Sequence, residues 1–364
     1  MYYFSDTYEQ GRAKFLSVCK ANNLAVETHI NPCGKSQNGE DLAMDVVWCG
    51  ASKAQKVFLV TCGTHGLEAA TGSATILQWL HEKSHLTLAP DCAVLIIHAV
   101  NAYGWAYDSR TNENNIDLNR NFLNHNASYP QNKNYSELIK RLQIDEINSE
   151  SLKGALDCFY DFAQEKGMNQ AIQAITAGQY EDADGIGYGG HQDSWSKQTL
   201  IEIIKTKLHD ANKIACIDWH TGIGKYGEPF FISQDKVGST KYKMASQWWQ
   251  TAIHSDDIFD EGVSPQYSGL LIQGVKDELQ KNNEVDILSV AIEIGTYDID
   301  SMLQALIIDN WLRQNSQKSQ SPEAMRQKFR LVERFYPSMP EWRSSVLKHA
   351  KIIYQQTLHG LSNW

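Results

Sequence analysis

Near-continuous apolar runs at residues 45–49, 57–62, 93–100, 214–219 and 289–294 alternate with amphipathic stretches, one of them at about 70–81. Buried strands separated by helices of this kind predict a mostly parallel, twisted sheet covered on both faces, an α/β fold. Helical spacing over 5–22 puts Phe15, Val18 and Cys19 on one side, and an extended segment follows at 24–30. Between 124 and 199 the pattern turns polar and then helical, with Leu138, Leu142, Leu156, Phe159, Phe162 and Ala163 as inward positions. That segment reads as an insertion packed on the sheet. The end of the chain, 322–364, reads as helix broken at Pro337 and Pro340. With no internal repeat or low-complexity linker, residues 1–364 are expected to form one large domain.

Composition narrows the partners. The chain has 364 residues, 42% hydrophobic and 21% charged, as an ordinary globular protein does. Its 33 basic and 43 acidic residues give a net charge of -10, and no basic block could track a phosphate backbone, so nucleic acid is not an expected partner. The first residues lack the pattern of a signal peptide and no stretch reaches membrane-spanning length, so a cytoplasmic protein with no membrane partner is expected. Seven cysteines without a C-x-x-C pair, several inside apolar runs, read as buried reduced thiols. Oligomeric state is open.

The chemistry lies at the strand ends, where open α/β sheets bind ligands. After the run 57–62 comes Thr64-His65-Gly66-Leu67-Glu68, after 93–100 comes Asn101, His220 follows 214–219, and Glu293 sits in the last strand. One H-x-x-E is close to chance in a chain with twelve histidines. Two His and one Glu together are the protein donors of a catalytic zinc site. A further carboxylate nearby can move the proton of a water, a role that suits Glu293, although an isolated strand Glu more often pairs with Lys or Arg and an isolated His220 more often belongs to the core.

The segment after the second run strengthens the pattern. Asn101-Ala102-Tyr103-Gly104-Trp105, Arg110, and Asp117-Leu118-Asn119-Arg120-Asn121-Phe122 follow one another in order. This resembles the zinc carboxypeptidases, which carry an N-P-D-G-[FY] turn, an Arg and a D-x-N-R-N-[WF] segment between H-x-x-E and the third ligand. The resemblance covers about 57–296 and is closest to a bacterial branch catalogued as a domain of unknown function. It implies a zinc carboxypeptidase-like (phosphorylase/hydrolase-like) fold, one Zn2+ on His65, Glu68 and His220, and Asp117 as acceptor for His65. It further implies Glu293 as general base, Arg110 on the developing oxyanion, Asn119 and Arg120 on a substrate carboxylate, and Tyr267 as the mobile tyrosine over the substrate. Asn101-Ala102-Tyr103 departs from the N-P-D turn, and the span from His65 to His220 is longer than in the digestive enzymes. Tyr188-Gly189-Gly190 and Ser194 resemble a segment that leads into a helix in the same family, with Lys197 and Gln198 replacing its acidic part, and carry no role over.

Two stretches match G-x-G-x-x-G, at 185–190 and 222–227, but neither joins a strand to a helix, so both read as loops, the second beside the site. Trp248-Trp249 read as packing rather than a substrate platform. The specificity pocket is expected between Tyr267 and Glu293, where Gln273, Lys276, Asp277 and Glu278 give mixed signals. The expected function is a zinc hydrolase cleaving an amide or peptide bond next to a free carboxylate. Two alternatives stay open: an aspartoacylase-like deacylase of N-acyl amino acids, and a non-catalytic carboxylate- or peptide-binding protein.

Overall fold

The computed structural model describes residues 2–254, 267–281 and 285–364. Its first helix, α1 (Tyr8–Ala21), starts where the Thr7 side chain accepts a hydrogen bond from the Gln10 amide, three residues inside the expected start. It leads into β1 (Val26–Lys35), β2 (Asp41–Gly50), β3 (Lys56–Cys62), α2 (Ala69–His81), β4 (Cys92–His98) and the short α3 (Ala102–Tyr107). The polar segment carries α4 (Tyr135–Arg141), α5 (Ser149–Lys166), α6 (Met168–Thr176) and the opening of α7 (Trp195–Lys207), capped by Ser194. Then come β5 (Lys213–Gly222), β6 (Pro229–Ile232), α8 (Thr240–Trp249), β7 (Ile253–His254), α9 (Leu271–Gln280) and β8 (Asp286–Gly295). The chain closes with α10 (Ile299–Gln314), α11 (Pro322–Phe335) and α12 (Pro340–Ser362), the last two separated at the prolines.

Among the described residues the strands form one sheet in the order β1-β2-β4-β3-β5-β8-β6-β7. The central strands β4, β3, β5 and β8 are parallel, whereas β2 and β6 flank them antiparallel. From β3 the chain crosses to β4 on one side and later returns to β5 on the other. The sheet reverses direction of growth there, which opens a crevice at the carboxyl ends of β3 and β5.

Alternation along each strand divides the core into two layers. Phe58 and Val60 of β3 pack with Phe15, Leu80 and Tyr354 from α1, α2 and α12, while Val57 and Leu59 pack with Leu200, Ile203 and Val275 from α7 and α9. Trp249 is buried in the first layer and Trp248 packs edge-on against Trp364, so both tryptophans serve packing. A third cluster joins Phe159 and Phe162 of α5 and Ile172 of α6 to Leu303 of α10, Leu331 of α11 and Leu67, the residue before Glu68. The polar-to-helical segment thus packs directly against the loop between His65 and Glu68. Cys19, Cys49, Cys62, Cys92 and Cys216 are buried free thiols, and Cys33 is exposed. No helix among the described residues is long and apolar enough to cross a membrane.

Candidate metal centre and catalytic site

Backbone contact between two glycines sets the loop after β3. A methyl group at Gly66 would lie 2.0 Å from the Gly104 carbonyl carbon, so only glycine lets this turn rest on α3. The Gly66 amide donates to the Arg110 carbonyl at 3.3 Å, and Asn101 caps α3 by accepting from the Gly104 amide at 2.9 Å. The Asn101 turn therefore supports the loop that bears His65 and Glu68.

His65, Glu68 and His220 converge. Their inward donor atoms all lie within 4.8 Å of one another, and all three residues are buried. His65 Nδ1 and His220 Nδ1 stand 3.3 Å apart, while the Glu68 oxygens lie 2.8 Å from the first and 3.0 Å from the second. Ligands on a tetrahedral zinc with bonds of about 2.0 Å are spaced by roughly 3.3 Å, so the donors stand close to the spacing one ion requires.

Each imidazole meets a carboxylate on its outer side. Asp218 Oδ2 lies 2.7 Å from His220 Nε2. Asp117 Oδ1 lies 3.3 Å from His65 Nε2 at ion-pair distance, without the alignment of a hydrogen bond. A carboxylate there favours the proton on Nε2 and turns the Nδ1 lone pair inward. Asp218 is anchored in turn, accepting from Thr61 at 2.6 Å and from Thr64 at 2.8 Å. Sequence reasoning missed Asp218; its signal was the i, i+2 spacing before His220, which places both side chains on one face of β5.

Four carboxylates, Glu68, Asp117, Asp218 and Glu293, line the site with two guanidiniums, Arg110 and Arg120. Burial opposes an ionised Glu68, but His65 and His220 hold its carboxyl well below the ordinary range. Burial likewise opposes protonation of His220, yet Asp218 and Glu68 raise its affinity for a proton far above the usual imidazole value. An anionic site that attracts a proton this strongly also attracts a divalent cation, which displaces it.

Glu293 occupies the position on β8 directly opposite His220 on β5. Its Oε2 is buried without a hydrogen-bond partner, and among the described residues Glu293 forms no ion pair with Lys or Arg. Burial first, and the Glu68 carboxylate second, raise its pKa above the ordinary carboxylate range.

Arg110 donates from Nε to Asp117 at 3.1 Å and from Nη1 to Glu68 at 3.3 Å, while its own amide donates to Asp309 at 3.0 Å. Arg120 is only 6% exposed and lies on Tyr267, its guanidinium carbon 4.7 Å from the ring centre. It donates to the Asn119 and Thr176 carbonyls, leaves Nε unpartnered, and has no carboxylate partner among the described residues. Asn119 accepts the Leu271 amide at 2.8 Å, fixing the start of α9 and leaving its amide nitrogen for a ligand. Asn121 ties loops together, donating to the Gly189 and Gln192 carbonyls and accepting from the Ser194 amide.

His65, Glu68, Arg110, Arg120, His220 and Glu293 line one cavity of about 680 Å³. Gly222, Ile223 and Gly224 border it, as expected for the second glycine stretch. The expected pocket residues differ: Leu270 and Ile272 face the cavity, whereas Lys276 pairs with Asp235, Glu278 with Lys281 and Gln273 with Asp277. Helical periodicity of α9 turns the apolar side of the segment inward and its charged side outward.

No curated protein matches the chain. Among solved structures, carboxypeptidase A from Helicoverpa armigera aligns at 12% identity and TM-score 0.49, covering 90% of this chain and 73% of that one. The metallo-carboxypeptidase from Pseudomonas aeruginosa aligns at 12% identity and TM-score 0.43, over 87% and 71% of the two chains. The murein-tripeptide amidase MpaA from Escherichia coli O157 aligns at 15% identity and TM-score 0.36, over 86% and 94%. A family profile spans nearly the whole sequence, residues 4–349, and the chain belongs to that family, described as "Protein of unknown function (DUF2817)".

Proposed function

We propose that this protein is a zinc-dependent hydrolase, a single zinc carboxypeptidase-like domain with a helical insertion at about 124–199, that cleaves an amide or peptide bond next to a free carboxylate. One observation carries the reading: Glu293, with a buried oxygen that lacks a partner, faces the point on which His65, Glu68 and His220 converge. Structural carboxylates at such depth are ordinarily paired; one left free beside a set of metal donors is suited to moving protons.

His65, Glu68 and His220 would hold a divalent cation, which would supply Lewis acidity to a water and to a carbonyl. Two imidazoles and one carboxylate are the donor set that favours zinc. Glu293 takes the proton of the attacking water and returns it to the leaving nitrogen, and its raised proton affinity suits both halves of that exchange. Arg110, held by Asp117 and Glu68, donates to the carbonyl oxygen as negative charge develops. Arg120 supplies the cation for a substrate carboxylate, with the Asn119 amide nitrogen beside it and Tyr267 over the bound group.

Elemental analysis of protein purified without chelator, followed by assays on matched free-acid and amide-capped substrates, tests this. One zinc per chain and hydrolysis confined to the free acids is the expected outcome. A chain without stoichiometric divalent metal, or one that prefers the capped substrates, would overturn it.

A further inference from the structure

We infer that the acyl half of the substrate is a hydrocarbon chain, so that the molecule cleaved is an N-acyl amino acid rather than a peptide. The inference rests on the hydrolase reading above. A substrate with its carboxylate on Arg120 and its carbonyl at the His65–Glu68–His220 point presents whatever lies beyond that bond to the remaining cavity wall. Six side chains build that wall: Phe159 of α5, Ile172 and Ile175 of α6, and Met302, Leu303 and Leu306 of α10. One end adjoins Thr176, whose carbonyl accepts from Arg120. A methyl group at Gly222 would stand 3.4 Å from the Met302 terminal carbon and 3.6 Å from Glu293 Oε2, so Met302 and the proposed base both border Gly222.

The wall offers neither a strong donor nor a charged acceptor. Charged side chains in the cavity gather at the convergence point, at Arg120, and at an exposed rim that includes Lys225, Glu228 and Asp298; of the other polar ones, the Thr176, Thr221 and Tyr297 hydroxyls donate to the Ile172 carbonyl, the Phe335 carbonyl and Glu333. A peptide crossing the wall would lose hydration at every N–H and C=O it placed there and regain few hydrogen bonds. A hydrocarbon chain loses nothing by the same burial, and each methylene covered by these side chains favours binding about fourfold. Phe159, Ile172 and Ile175 come from the segment that lengthens the span between Arg120 and His220, so the insertion gives the site an acyl-binding face.

The test compares N-acetyl-, N-butanoyl- and N-octanoyl-L-leucine with Leu-Leu and Ala-Leu-Leu on the zinc-loaded protein. The expected result is a rise in kcat/KM of at least about tenfold from acetyl to octanoyl, with both peptides cleaved at least about tenfold more slowly than the octanoyl compound. Equal rates across acyl lengths, or faster cleavage of the peptides, overturn the inference while leaving the hydrolase reading intact. Calorimetric binding of the same ligands to Glu293→Gln gives a readout independent of turnover. Tighter binding with acyl length there supports the hydrocarbon wall even if no compound is hydrolysed, a result that would defeat only the hydrolase reading. A Met302→Glu variant should lose the acyl-length preference; an unchanged preference in a folded variant counts against the assigned wall.

Discussion

His220 and Glu293 are register partners on the adjacent parallel strands β5 and β8, so a candidate metal donor and a carboxylate with one unpartnered buried oxygen point from the same face of the sheet at one spacing. No loop intervenes to blur that distance. Both strands are pinned over ten residue pairs, from Lys213 with Asp286 to Gly222 with Gly295.

Replacing Glu293 by Gln keeps the shape and removes the proton acceptor. Bound zinc should stay at one per chain while turnover falls by about a thousandfold. Parallel metal analysis and steady-state kinetics decide it, and survival of turnover on a true substrate would remove Glu293 from the chemistry.

Asp218→Asn should weaken zinc binding by about ten- to a hundredfold. An amide nitrogen turned toward His220 Nε2 would draw the ring into the tautomer whose proton sits on Nδ1, the atom needed for the metal. Competition with a chromophoric chelator measures the loss, and the melting curve of the metal-free protein checks the fold. An affinity within twofold of the parent would make Asp218 a packing residue only.

Arg120→Gln should reduce kcat/KM on free-acid substrates by about a hundredfold, the scale for losing one member of a buried charge pair. Amide-capped analogues, which bring no charge to this end, should be much less affected. A uniform loss across both series would point to a collapsed site instead.

His98 gives a pH dependence unconnected with catalysis. Its ring is stacked on Phe15 at 4.2 Å and hydrogen-bonded to Ser73, and burial lowers its pKa to about 4 from an unfolded value near 6.5. Since the unfolded chain binds this proton first, stability is fully present above pH 6.5 and is lost as pH falls toward 4, by about 3 kcal/mol. Urea unfolding at pH 7.5 and 4.5 should therefore show a larger loss for the parent than for His98→Gln. Equal losses would show that His98 does not carry this term.

The parallel sheet was legible because strands buried on both faces must be written in nearly unbroken apolar residues, as in 57–62 and 214–219. His65, Glu68, His220 and Glu293 could be picked out because chemistry collects at strand ends. Asp218 was overlooked although its i, i+2 spacing puts it on the same face of β5 as His220, because that spacing alone does not say that the two side chains touch. Asn119 and Asn121 adjoin the same arginine in sequence, yet one anchors α9 and the other joins the loops around Gly189 and Ser194. The charged residues of α9 left the pocket face open, because that face depends on how the helix rolls against β8. The order of strands, the donors' separations and the apolar wall from α5, α6 and α10 depend on contacts between residues far apart in the chain. Local pattern determined which residues are strands, helices and strand ends; packing between distant segments decided which of their side chains meet.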